Sequence, residues 1–200
     1  NNIQGLKLNN LKLLSIYPGD INYLTRKKFR SYFESDIYIV FGSSYIKNKY
    51  LLNFLVKKKT INIHMGISPY YRGTDCNFWA MYDDRPDCVG ATIHRLTKGL
   101  DSGPILYYAL SEYTNDPFVY TMSTVKSAIL SLKKKIKDKS IFKISPIKQN
   151  KKLEVRYSKK RNFTDSIIKK FFLKKFKKRK KPLFFSNNDK DFILKKKRFH

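Results

Sequence analysis

Asp36-Ile37-Tyr38-Ile39-Val40-Phe41-Gly42-Ser43-Ser44 opens the stretch on which the fold turns. Its first six residues are nearly all apolar and rich in β-branched and aromatic types, the pattern of a strand buried on both faces. Gly42-Ser43-Ser44 turns the chain, Lys49 to Val56 reads as a helix, and Thr60-Ile61-Asn62-Ile63-His64 reads as the next strand. Strand, turn, helix and strand within about 30 residues make a βαβ unit. The unit predicts an α/β fold with a mostly parallel sheet, flanking helices and right-handed crossovers.

Working outward, Pro18-Gly19-Asp20 is a turn that leads into a helix, with Asp20 as its N-cap. Ile21, Leu24, Phe29 and Phe33 then recur at helical spacing. After the βαβ unit, Thr74 to Asp83 reads as a helix with Phe78, Trp79 and Met81 on its apolar side. The Phe78-Trp79 pair fits helix core better than a stacking platform. Asp84-Arg85-Pro86-Asp87 breaks that helix, Val89 to Leu96 is a strand, and Ile105 to Tyr108 is another. Tyr120 to Ile136 reads as a helix that turns basic at its end. Beyond Ser140 the signals thin to a strand at Leu153–Tyr157 and an amphipathic helix at Phe163–Phe176. No internal repeat is visible.

Charge divides the chain. Of 43 Lys/Arg and 15 Asp/Glu, residues 131–200 hold 27 and five, so most of the net +28 lies at the C-terminal end. The expected organisation is a catalytic domain over residues 1–140 and a Lys-rich extension over residues 141–200. Such a tail could hold nucleic acid, anionic lipid or a phosphorylated substrate, or simply reflect a composition rich in Lys, Asn, Ile and Phe throughout. No run approaches the roughly 20 apolar residues of a membrane span. Asn1-Asn2-Ile3-Gln4 starts no apolar leader. Cys76 and Cys88 have no partners at zinc-finger spacing. Two thiols without a secretory signal fit the reducing cytoplasm. His94, six residues from Cys88, reads as a packed or hydrogen-bonded histidine, not a metal ligand.

Chemistry concentrates in Asn62-Ile63-His64-Met65-Gly66-Ile67-Ser68-Pro69-Tyr70-Tyr71-Arg72-Gly73 and in Gly99-Leu100-Asp101-Ser102-Gly103-Pro104. Asn62 and His64, two apart on a strand, share one face of the sheet. The Gly-flanked Asp101 can fold back to meet them. An amide donor, an imidazole and a carboxylate are the parts needed to stabilise an oxyanion and move a proton. Loops after three strands, at Ser43–Ile46, His64–Gly73 and Gly99–Gly103, are expected to face one crevice at the strands' carboxyl ends. Each residue also has a plainer reading: Asn62 closes a turn, His64 packs a strand end, and Asp101-Ser102-Gly103 is an ordinary turn.

The ordered set resembles the formyltransferases that use 10-formyltetrahydrofolate. That family carries an Asn-x-His loop ending near Pro and Gly, a Thr-hydrophobic-His strand and an Asp in a Leu-Asp-x-Gly loop. Here these are Asn62-Ile63-His64, Ser68-Pro69, Arg72-Gly73, Thr92-Ile93-His94 and Leu100-Asp101-Ser102-Gly103. The resemblance covers residues 35–110. It departs from the family where Ser-Leu-Leu-Pro becomes Gly66-Ile67-Ser68-Pro69. It also implies a further mononucleotide-type half before Asp36, so one or more N-terminal strands are expected to be missing.

The resemblance implies a Rossmann-like fold and transfer of a formyl group from 10-formyltetrahydrofolate, as co-substrate, to a primary amine, with no metal. Asn62, His64 and Asp101 would be catalytic. Asn62 and a protonated His64 would hold the oxyanion, while Asp101 would keep His64 protonated and receive the amine proton. Ser44, Tyr45, Ile46, Leu96 and Leu100 would line the pterin slot, though the two leucines fit plain core nearly as well. Ser68, Tyr71, Arg72 and Gly73 would meet the amine substrate, with Arg72 either binding a phosphate or bracing the loop. Gly66 to Gly73 and Asn77-Phe78-Trp79 look most like the branch that acts on nucleotide-linked amino sugars. The alternatives are methionyl-tRNA, glycinamide ribonucleotide, or a non-catalytic remnant that binds nucleic acid through the tail. The sugar branch further implies a homodimer, with Phe163–Phe176 as the interface.

Overall fold

A computed structural model describes residues 14–25, 34–174 and 191–194. Its centre is a five-stranded sheet in the order β1 (Ile39–Phe41), β2 (Ile61–His64), β4 (Ala91–Arg95), β5 (Ile105–Ser111), β7 (Phe192–Leu194). β1 (Ile39–Phe41), α1 (Lys49–Lys57) and β2 (Ile61–His64) form the expected βαβ unit, with β1 and β2 parallel. α1 starts at Asn48, whose side chain accepts a hydrogen bond from the Leu51 amide and so satisfies an N-terminal donor. Leu51 and Leu55 bury one side of this helix against Ile46 and Val40.

β4 (Ala91–Arg95) and β5 (Ile105–Ser111) complete the middle of the sheet. β4 runs antiparallel to both β2 and β5, and β7 (Phe192–Leu194) runs parallel to β5. The sheet is therefore mixed, not mostly parallel. Residues 96–104 explain one antiparallel pairing, because nine residues are too few for the crossover that parallel strands need. β1 also departs from expectation. Ile39 and Phe41 are 46% and 44% exposed, since β1 is the edge strand among the described residues.

At the N-terminal side, Asp20–Tyr23 forms a single 3-10 turn. Gly19, at φ +96°, occupies the cap position assigned above to Asp20, whose carboxylate instead accepts from the Tyr17 amide. The rest of the expected helix at 26–33 lies outside the described residues.

Two apolar clusters flank the sheet. Ile61, Ile63, Ala91, Ile93, Tyr107 and Ala109 pack with Ala128 and Leu132 of α3 (Pro117–Lys137) and with Ile141. Asp116 caps α3 by accepting from the Phe118 and Val119 amides, and Pro117 suits the first turn. Lys134, Lys135 and Lys137 lie at its carbonyl end, where the helix dipole favours cations. α2 (Cys76–Tyr82) contributes Trp79, Ala80 and Met81 to a second cluster with Cys88, Val89 and Tyr120, the last from α3. Trp79 and Phe78 are core residues, and both cysteines are buried thiols that form no disulfide among the described residues.

Residues 141–174 pack onto this frame. β6 (Arg156–Ser158) pairs in parallel with β3 (Tyr71–Gly73). The contact is close enough that a Cβ on Gly73, at φ +94°, would stand 1.9 Å from the Ser158 carbonyl oxygen. α4 (Asp165–Phe172), capped by Thr164, sets Phe171 against Phe78 at 4.6 Å between ring centres. Of the apolar face expected to form a dimer interface, Phe171 is thus buried against the chain's own α2, Phe172 stays exposed, and residues 175–176 lie outside the described residues.

An ion pair fastens this segment. Arg156 donates to both oxygens of Asp83 at 2.7 and 2.8 Å and lies 4.5 Å over the Trp79 ring, while the Tyr71 hydroxyl donates to the same carboxylate. Arg156→Ala leaves Asp83 half-paired and should lower stability by about 1–3 kcal/mol. A urea-unfolding midpoint unchanged from wild type would show that the segment adds nothing to the fold.

Candidate active site

The βαβ unit and β4 form the floor of a cavity of about 670 Å³, a size suited to a small-molecule ligand. Asn62, His64, His94 and Asp101 all reach it. In the β2–β4 register Asn62 stands opposite His94, and the two side chains meet at 2.9 Å between Asn62 Nδ2 and His94 Nε2. The other ring nitrogen of His94, Nδ1, lies 2.8 Å from the Arg95 carbonyl oxygen. A carbonyl can only accept, so Nδ1 carries the proton and Nε2 accepts from the Asn62 amide. Burial pushes the His94 pKa down to about 4, against the opposing pull of the Arg95 carbonyl, and holds this neutral tautomer. One amide hydrogen of Asn62 is used in this way. The other has no partner among the described residues and is available at the cavity.

His64 is buried and donates through Nε2 to the Tyr71 carbonyl at 3.0 Å, while Nδ1 stands 3.4 Å from Asp101 Oδ2. Gly66 permits this packing, because a Cβ there would come within 2.7 Å of His64 Nε2 and 2.5 Å of Cys76 Cβ. Thr92 pins the same segment by donating to the Gly66 carbonyl and accepting from the Ser68 amide.

Asp101 arrives by a route that the sequence reading misjudged. β4 is antiparallel to β2, so its carboxyl end, Arg95, lies beside Ile61 and not beside His64. The loop after β4 therefore starts at the far end of the sheet and folds back over its face. Gly103 makes the fold-back possible, since a Cβ there would stand 1.7 Å from the Arg95 carbonyl oxygen. Asp101 itself adopts φ +46°, a region that non-glycine residues rarely enter. Its Oδ1 lies 4.0 Å from His94 Nε2 and its Oδ2 accepts weakly from the Gly73 amide at 3.4 Å.

The other expected site residues divide. Ser44, Tyr45, Ile46, Leu96 and Leu100 all line the cavity, as does Gly73. Ser68 and Tyr71 do not reach it, for both are fully buried. Ser68 is tied up through its backbone to Thr92 and Tyr108. The Tyr71 hydroxyl bonds to Asp83, and burial raises its pKa further above the usual phenol value. Arg72 braces loops by donating to Glu154 at 2.6 Å and to the Leu100 carbonyl at 2.8 Å.

Two contributors escaped the sequence reading. Asn22 donates to the Tyr45 carbonyl and accepts from the Lys47 and Asn48 amides, clamping the loop that carries Ser44 to Ile46. Tyr157 of β6 reaches the cavity wall through the β3–β6 pairing. A lone polar residue in an irregular segment gives no periodic signal. The β3–β6 pairing joins segments more than 80 residues apart, which no local pattern encodes.

A profile described as formyl transferase matches residues 30–137. The chain belongs to the formyl transferase family. It is 32% identical over 95 residues to the bifunctional polymyxin resistance protein ArnA of Wigglesworthia glossinidia brevipalpis, a match that covers 48% of this chain and 14% of that protein. The chain thus spans a small part of that curated relative. Among solved structures it is similar to the formyltransferase PseJ from Anoxybacillus kamchatkensis, in complex with UDP-4,6-dideoxy-4-formamido-L-AltNAc and tetrahydrofolate. That match has 27% identity and a TM-score of 0.51, and covers 64% of this chain and 67% of PseJ. A 4-N formyltransferase from Francisella tularensis shares the fold at 24% identity and a TM-score of 0.54, over 70% of this chain and 56% of that one.

Within this formyl transferase fold, the neutral His94 has a measurable consequence. Its folded pKa lies below the ordinary histidine value of about 6.5. Between that value and about 4 the unfolded chain binds a proton that the folded chain does not. Stability from this group is therefore full above pH 6.5 and is lost as pH falls toward 4. Urea midpoints measured from pH 7 to 4.5 should fall more steeply in wild type than in His94→Gln. Identical slopes would mean that His94 is not the buried neutral group.

Proposed function

We propose that this chain transfers a formyl group from 10-formyltetrahydrofolate to the amine of a nucleotide-linked amino sugar. The observation that carries the reading is the convergence of Asn62, His64 and Asp101 on one cavity, with the Asn62 amide fixed by a neutral His94. The cavity fits a folate donor: its volume is adequate, Leu96, Leu100 and Ile46 offer apolar walls, and loop 42–46 offers backbone groups. The amino-sugar class rests on the likeness to PseJ, whose crystals hold such a product.

When bound, 10-formyltetrahydrofolate supplies an activated formyl carbonyl. Asn62 presents its remaining amide hydrogen to the carbonyl oxygen as that oxygen gains charge on attack by the amine. One such donor is worth about 2.7–4 kcal/mol in the barrier. Asp101 would take the proton that the attacking amine must lose, with Oδ1 as the acceptor nearest Asn62's partner His94, and that proton would balance the one N10 of tetrahydrofolate takes up as the formyl carbon–N10 bond breaks. His64 orients Asp101 through Nδ1 and is itself held by the Tyr71 carbonyl. Burial of His64 limits the access of water to its contact with Asp101.

Asn62→Ala should lower kcat/KM by about 10²–10³-fold, and Asp101→Asn should abolish measurable turnover, in an assay that follows tetrahydrofolate release with amino-sugar nucleotides as acceptors. A folded wild-type protein that neither binds a stable 10-formyltetrahydrofolate analogue nor turns over would overturn the reading.

A further inference from the structure

The loop that delivers Asp101 is held carbonyl by carbonyl. The Leu100 carbonyl accepts from Arg72, and the Gly99 carbonyl accepts from Thr97 Oγ1 at 3.3 Å. Two more carbonyls, those of Asp101 and Gly103, accept from a single side chain. Gln149 Nε2 donates to the Asp101 oxygen at 2.9 Å and to the Gly103 oxygen at 2.7 Å. Both partners are pure acceptors, so the amide nitrogen must face them and both of its hydrogens are used. Gln149 is 9% exposed, which makes these bonds hard for water to replace. Its backbone is fixed as well, because Ile147, two residues earlier, exchanges paired backbone hydrogen bonds with Ile105 at 2.8 Å each.

We infer that Gln149 is a positioning residue for the reaction: it locks Asp101 in its left-handed conformation and thereby sets the carboxylate against His64 and His94. The inference rests on the formyl-transfer reading above and adds to it a residue from beyond residue 140. A non-glycine residue at φ +46° persists only where its surroundings over-determine it. Two bonds to the carbonyls on either side of Ser102 do that, since they fix the peptide planes that follow Asp101. Gly103 lies against Arg95, so the loop cannot shift toward the sheet, and Gln149 stops it from moving away.

Gln149→Glu tests this with an isosteric change. It replaces the donors with a carboxylate that faces two carbonyl oxygens. The expected result is a fall in kcat of about 10–100-fold, as for a misplaced catalytic group, with KM for donor and acceptor within about threefold of wild type. Amide hydrogen exchange gives a readout independent of turnover. The peptide covering residues 96–104 should exchange faster in Gln149→Glu, while peptides from β2 and β4 stay unchanged. Unchanged exchange in 96–104 would overturn the inference whether or not the enzyme turns over. Exchange raised throughout the chain would also overturn it, by showing that Gln149 holds the whole fold and not one loop. Absence of turnover in wild type would overturn the formyl-transfer reading alone.

Discussion

The site depends on the antiparallel register of β2 and β4, which sets Asn62 directly opposite His94. Residues paired across two strands point to the same face. Their contact is therefore fixed by the backbone and not by side-chain search. Everything polar in the cavity follows from it. His94 is buried, so it is neutral, and the Arg95 carbonyl selects the tautomer. That tautomer makes Nε2 an acceptor, which turns the Asn62 amide so that its nitrogen faces His94 and leaves its second hydrogen to the cavity. A protonated His94 would reverse the sense of this contact and leave two donors facing each other.

The second constraint is the return of the Asp101 loop. A carboxylate carried on the end of β4 would sit at the wrong edge of the sheet. The chain solves this with a glycine laid on Arg95, a left-handed aspartate and four carbonyls each held by a side chain. Two of the holders, Arg72 and Gln149, tie the loop to elements that themselves depend on residues beyond 140. Arg72 is braced by Glu154, and Gln149 follows the bridge from Ile147 to Ile105. The segment after α3 is thus part of the machinery that shapes the cavity, and the change in composition near residue 140 marks no break in packing.

Much of this was legible in the residues. The βαβ unit follows from an apolar run, a helical period and a second run. The shared face of Asn62 and His64 follows from the two-residue alternation of a strand. The meeting of Asp101 with them followed from glycine flanks and from the family pattern. What could not be read was direction. Alternation tells which face a side chain takes but not whether the neighbouring strand runs up or down, so the antiparallel β4 was hidden. Burial of Ser68 and Tyr71 was hidden for a related reason. A loop motif names residues near a site, whereas only the path of the backbone decides which of them turn inward. Gln149 sits in a stretch where lysine dominates, and a single amide there carries no pattern at all.

The net charge bears differently on the reading than its size suggests. Among the described residues, few cations reach the site. Lys98 lines the cavity, while Arg72 is paired with Glu154, Arg156 with Asp83 and Lys174 with Asp84. Specific recognition must come from these local groups, since a contact acts at hydrogen-bond range. The excess of positive charge acts at longer range. At physiological salt its field decays over about 8 Å, and within that distance it raises the local concentration of any anion. A sugar carried on a nucleotide diphosphate would gain in encounter rate from such a field, and so would a nucleic acid. Charge alone therefore does not choose between them. The choice lies with the cavity, whose volume suits a small molecule and which Asn62, His64, His94 and Asp101 all reach.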